Sequence, residues 1–226
     1  MDIELFYQEQ GEGFPLILLH GNGEDHTYFA KQISSFSKRF RVIAIDTRGH
    51  GFSPRGDGEF SLKRFAEDLN DFMIEKGIEK AHVLGFSDGA NIAMYFALAH
   101  GEKVEKLILN GGNISPKGIK PSVQLPIEIG YRIAKRYSDK SPEAKLKTEI
   151  LGLMVNEPHI EPSQLRQITS KTLVVAGTND MVKRKHTELI GKSIPHCEIC
   201  FIPGDHFVAN KQWEKFNSVV DSFLNS

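Results

Sequence analysis

Six apolar runs recur along the chain at intervals long enough to hold a helix. They are PLILLH at 15–20, RVIAID at 41–46, AHVLGF at 81–86, VEKLILN at 104–110, KTLVVAG at 171–177 and CEICFIP at 197–203. The first two lack polar alternation and read as strands covered on both faces. Strands separated by helix-length segments require right-handed crossovers. The fold class is therefore α/β, with a mostly parallel central sheet and helices on both faces. IELFYQ at 3–8 adds an edge strand before them.

The intervening segments carry helix signals. Asp25 caps a helical pattern over 26–37, and Ser61 opens another in which Leu62, Phe65, Leu69, Phe72 and Met73 form one apolar stripe ending before Gly77. The stretch 87–99 is alanine-rich and apolar, as a buried crossover helix would be. The closing helix places Trp213, Phe216, Val220 and Phe223 on one face. Between 113 and 168 the alternation stops. Prolines at 116, 121, 126, 142, 158 and 162 separate short helical patterns such as IEIGYRIAKRY and EAKLKTEILGLM. The predicted organisation is a core of 1–112 and 169–226, with a helical cap insertion of 113–168 over one end of the sheet, where ligands sit in open α/β folds.

At 226 residues with a net charge of −1, the chain suits one compact body without a phosphate-seeking surface. This argues against nucleic acid, and KRKH at 183–186 reads as a solvated loop. The N-terminus is acidic where a signal peptide would be basic, and no apolar stretch reaches the length of a membrane span. A soluble, cytoplasmic protein without membrane insertion is expected. On a strand, Cys197 and Cys200 point to opposite faces. They are expected to pack, forming neither a disulfide nor a shared metal site.

GFSDG, residues 85–89, places a serine between a strand and a helix. The glycines let the two elements approach closely enough to hold Ser87 in a strained turn, its hydroxyl projecting from the sheet. A helix N-cap is the alternative use of that serine. A nucleophilic serine needs a base. His206 follows the last strand in a loop at the same sheet end, and Asp180, beyond KTLVVAG, is placed to orient its imidazole. The order Ser87, Asp180, His206 is the one that accompanies this elbow. Among the other histidines, His20, His26 and His50 lie at the correct sheet end but precede the serine. His82 lies within a strand and His100 ends a helix, while Asp205 adjoins His206 too closely in sequence to face it. HGNG at 20–23 and the elbow supply two backbone donors, the N–H groups of Asn22 and Asp88, for an oxyanion. Read without that chemistry, HGNG is a tight turn.

Together HGNG, DTRGHGFS at 46–53, GFSDG, GTNDMV and GDHF resemble the α/β-hydrolase family, small serine esterase type, in the family's order across residues 20–207. The resemblance implies Ser87 as nucleophile, His206 as base and Asp180 as orienting acid, with no cofactor or metal. The serine followed by aspartate is similar to valacyclovir hydrolase-like enzymes, which cleave esters of amino acids. Asp88 then favours substrates carrying a positive group, or else complements the positive end of the helix it begins. Arg48 is read as a brace for its loop. The expected function is hydrolysis of a small carboxylic ester, with aminoacyl esters among the candidates, through an acyl-enzyme on Ser87. A non-catalytic ligand receptor on the same fold, and a C–C bond hydrolase or lyase using the same triad, are the alternatives.

Overall fold

A computed structural model describes residues 2–226. Seven strands form one sheet: β1 (Tyr7–Gln10), β2 (Phe14–Leu19), β3 (Phe40–Ile45), β4 (Ala81–Phe86), β5 (Val104–Asn110), β6 (Lys171–Gly177) and β7 (Cys197–Ile202). Their spatial order is β1-β3-β2-β4-β5-β6-β7. All neighbours are parallel except β1, which runs antiparallel to β3 with Tyr7 opposite Ile45.

Strand alternation divides the core in two. Ile17, Ile43, Val83, Leu107 and Val174 face α2 (Leu62–Glu75), α3 (Asp88–Ala99) and α6 (Arg184–Ser193). Leu16, Val42, Leu84, Ile108 and Leu173 face α1 (Ala30–Phe36), α7 (Val208–Lys211) and α8 (Trp213–Leu224). The two cysteines follow the same rule: Cys197 packs on the first cluster and Cys200 on the second, both as free thiols. Ser61 caps α2, its hydroxyl accepting from Arg64 N at 3.2 Å.

Residues 113–168 hold two helices that pack on each other, α4 (Pro121–Lys135) and α5 (Pro142–Asn156), and short 3-10 turns. α4 begins earlier than the residue pattern implies and runs through Pro126. Pro121 stands in its first turn, where a missing N–H costs little.

Three further details differ from expectation. Residues 3–6 lie outside β1 because the N–H of Phe6 donates to Ser53 Oγ at 2.8 Å instead of to a strand carbonyl. Trp213 starts α8 beneath Lys31 and stays 36% exposed, while Phe216, Val220 and Phe223 carry the buried face. KRKH leads into α6 instead of lying in a loop; its first three side chains are exposed, and His186 Nε2 accepts from Ile114 N at 3.0 Å.

Arg48 is fully buried. Its guanidinium is bidentate to Asp68 at 2.7 Å on both arms, and it also reaches Asp2 and the carbonyl of Arg55. These carboxylates hold the guanidinium firmly charged. It braces the loop after β3, as the sequence implies. Among the described residues no helix is long and apolar enough to cross a membrane.

Candidate active site

Ser87 sits between β4 and α3 with φ 53° and ψ −118°, the one non-glycine residue with positive φ among those described. L-residues avoid this region, so surrounding contacts must hold it there. The flanking glycines explain how. A methyl on Gly85 would collide with the backbone of Gly89, and one on Gly89 with the carbonyls of Leu19 and His20. Ser87 makes no side-chain cap bond to α3, which leaves its hydroxyl for another partner.

That partner is His206, whose Nε2 lies 3.0 Å from Ser87 Oγ. On the other side of the ring, Nδ1 lies 2.7 Å from Asp180 Oδ1. Asp180 is fixed in turn by the N–H of Val182 at 3.0 Å and of Gly177 at 3.2 Å. The three side chains come from loops after β4, β6 and β7, at the carboxyl edge of the sheet, and all are buried. The geometry fits proton transfer from the hydroxyl to an imidazole oriented by a carboxylate. Asp205, the neighbour of His206, turns outward to Lys211.

Asn22 and Asp88 are brought together as well. Asn22 Nδ2 donates to Asp88 Oδ2 at 2.9 Å and to the carbonyl of Ile150 in α5 at 2.8 Å. Neither backbone N–H has a recorded acceptor among the described residues. Asp88 Oδ1 accepts from Asn91 Nδ2 at 3.3 Å, and burial raises its carboxyl pKa.

Three histidines at the same sheet end, His20, His26 and His50, are engaged elsewhere. His20 Nε2 accepts from Thr47 N at 3.0 Å, and burial pushes this imidazole down to about 4. His50 lies by Thr47 and the carbonyl of Arg48. His26 binds Asp46 Oδ1 through both its N–H and Nδ1. His26, Asp46 and Asp25 are close enough to share a metal ion. Their ligand atoms already serve the loop: Asp46 accepts from Phe52 N, and Asp25 from Thr27.

Two residues at the site carry no motif. Glu24 accepts from Gly21 N at 3.1 Å, and burial raises its carboxyl to about 7 while its charge interacts with His206. In sequence it is one more acid in a polar turn. Gly111, at φ 65°, leaves room for the imidazole; a methyl there would stand 2.7 Å from His206 Cε1.

A doubly covered parallel sheet with a strained serine beneath an imidazole defines the α/β-hydrolase class. A family model described as the alpha/beta hydrolase fold matches residues 15–139, and the protein is a hydrolase belonging to that family. It is 26% identical to 2-hydroxymuconate semialdehyde hydrolase of Pseudomonas putida over 96% of this chain and 89% of that protein. It is 28% identical to serine hydrolase BPHL of Mus musculus over 98% and 83%. The enol-lactonase from Burkholderia xenovorans LB400 shares the fold with a TM-score of 0.84 at 21% identity, covering 99% of this chain and 97% of that one.

Proposed function

We propose that the protein hydrolyses small carboxylic esters through an acyl-enzyme on Ser87, with aminoacyl esters as the favoured class. The observation that carries this reading is the continuous contact from Ser87 Oγ to His206 at 3.0 Å and on to Asp180 at 2.7 Å. Ser87 Oγ attacks the acyl carbon as His206 Nε2 takes its proton, and Asp180 Oδ1 accepts the hydrogen bond from Nδ1–H and stabilises the imidazolium without taking the proton. The backbone N–H groups of Asn22 and Asp88 stabilise the oxyanion. Collapse expels the alcohol with the proton from His206. The same imidazole then activates water, releasing the acid and restoring Ser87. Residues 113–168 act as the cap that shapes the acyl pocket.

Asp88 supports the preference for amines. Its buried carboxylate beside the nucleophile meets two neutral amides, and among the described residues no Lys or Arg pairs with it. A substrate ammonium supplies a counter-charge there. Kinetic comparison of an aminoacyl ester with its des-amino analogue, in wild type and Asp88→Asn, tests this. The preference is expected to collapse in the variant, and an unchanged ratio removes amine selection. Covalent capture of Ser87 by a fluorophosphonate tests the acyl-enzyme itself; failure in folded protein favours a ligand receptor or a lyase.

C–C bond hydrolysis is the second reading, because relatives include 2-hydroxymuconate semialdehyde hydrolase and a hexa-2,4-dienoic acid hydrolase. A buried carboxylate beside the serine opposes an anionic acyl group, which favours the ester reading. Turnover of a panel of esters and vinylogous diketones separates the two.

A further inference from the structure

We propose that the outer face of α4 is a docking surface for an anionic lipid bilayer. Leu125, Ile129, Ile133 and Tyr137 follow one another at four-residue intervals along α4 and the turn after it, and are 58%, 50%, 52% and 50% exposed. Eleven large hydrophobic side chains are exposed among the described residues, and these four share one stripe. Folding does not account for it. α4 meets α5 through other positions: Gln124 is buried and donates to the carbonyl of Met154, and the Tyr131 ring lies against Gly152. An ordered apolar strip on a water-facing helix marks a contact surface.

The charge around the strip selects the partner. Helical spacing places Arg132 and Arg136 along one margin of the strip. The Arg132 side chain is 76% exposed, and its acidic neighbour Glu128 is 3.9 Å away. Residues 120–147 carry seven basic and three acidic side chains, in a chain whose net charge is −1. An apolar strip with a basic margin matches the headgroup and acyl boundary of an anionic bilayer: the hydrocarbon side chains enter it, and the guanidinium groups meet phosphate and carboxylate. Stripe-on-stripe pairing with a second copy brings two basic margins together with few acids to receive them. A nucleic acid would satisfy the arginines but leave the strip in water.

α4 packs on α5, and α5 bonds the Asn22 loop through the carbonyl of Ile150. Docking therefore sets the roof of the site against the membrane surface. The docking itself does not depend on the ester reading.

Cosedimentation of the full chain with vesicles tests the proposal, using phosphatidylcholine alone or with about one-third phosphatidylserine. At about 50 mM salt, the bound fraction is expected to be at least about tenfold higher on the anionic vesicles, and to fall as salt rises to about 0.5 M. Two double variants, Ile129→Gln with Ile133→Gln and Arg132→Glu with Arg136→Glu, are each expected to lose binding at least about tenfold with an unchanged melting temperature. Their side chains are on the surface, so folding is spared. Four outcomes overturn the proposal: no binding, equal binding to both vesicles, binding that survives in either variant, or light scattering that shows a dimer abolished by the isoleucine variant. Capture of single-stranded DNA lost only with the arginine variant, without vesicle binding, also overturns it.

Discussion

One amide nitrogen of Asn22 bridges Asp88 Oδ2 at 2.9 Å and the carbonyl of Ile150 at 2.8 Å. The two residues proposed to hold the oxyanion are thus tied through their side chains, and α5 is tied to both. Asn22→Ala keeps the backbone N–H but frees its position. Loss of donor alignment worth ~1.4 kcal/mol lowers kcat about tenfold. Because the Asn22 side-chain amide is already engaged by Asp88 and the carbonyl of Ile150, KM should stay within about twofold. Steady-state kinetics on p-nitrophenyl acetate checks both values.

Ser87→Ala is expected to fold and to lose at least about a thousandfold in ester turnover. Ser87→Gly loses activity equally but relieves the backbone held at φ 53°. Its stability should exceed that of Ser87→Ala by ~1 kcal/mol. Urea unfolding of the two variants side by side measures the difference.

Burial raises Glu24 from its ordinary 4.5 to about 7, so the folded chain binds this proton more tightly than the unfolded chain does. Its stability contribution is complete below 4.5 and is lost as pH rises through about 7. Glu24→Gln should therefore stabilise the protein at pH ~8 by ~1 kcal/mol, after discounting for partial solvation, and leave it unchanged at pH ~4. Urea unfolding of wild type and variant at the two pH values measures the difference.

Gly89→Ala drives a methyl into the carbonyl of Leu19, which is backbone and cannot swing aside. Strand and helix must separate, at a cost of at least ~3 kcal/mol. Thermal unfolding of the variant measures that loss directly.

β4, β5 and β6 are legible to the residue, because short, mostly apolar runs each followed by a turn signal have no other stable use beside helix-length partners. Ser61 is equally plain as a cap. Of the candidate site, the convergence of Ser87, Asp180 and His206 is readable from chain order, although His206 and Ser87 stand 119 residues apart. The supporting shell is not. Glu24 looks like any turn acid until burial is known, and Gly111 serves a ring that arrives from a distant loop. Prolines mislead in α4, where they read as breaks because the residue pattern does not show that Pro121 stands in a first turn. Trp213 misleads because helical periodicity specifies a face but not where the core ends.

The excursion through α4 and α5 leaves the core at Ile114 and comes back at Ile160, whose N–H donates to the carbonyl of Ile114 at 2.9 Å. Its two stems therefore stand one hydrogen bond apart. Any sequence that spans so small a gap can be spliced there while Ser87, Asp180 and His206 keep their places. Evolution can thus redraw selectivity by exchanging a module, and an engineer grafting a foreign roof at the same seam inherits an intact reaction centre.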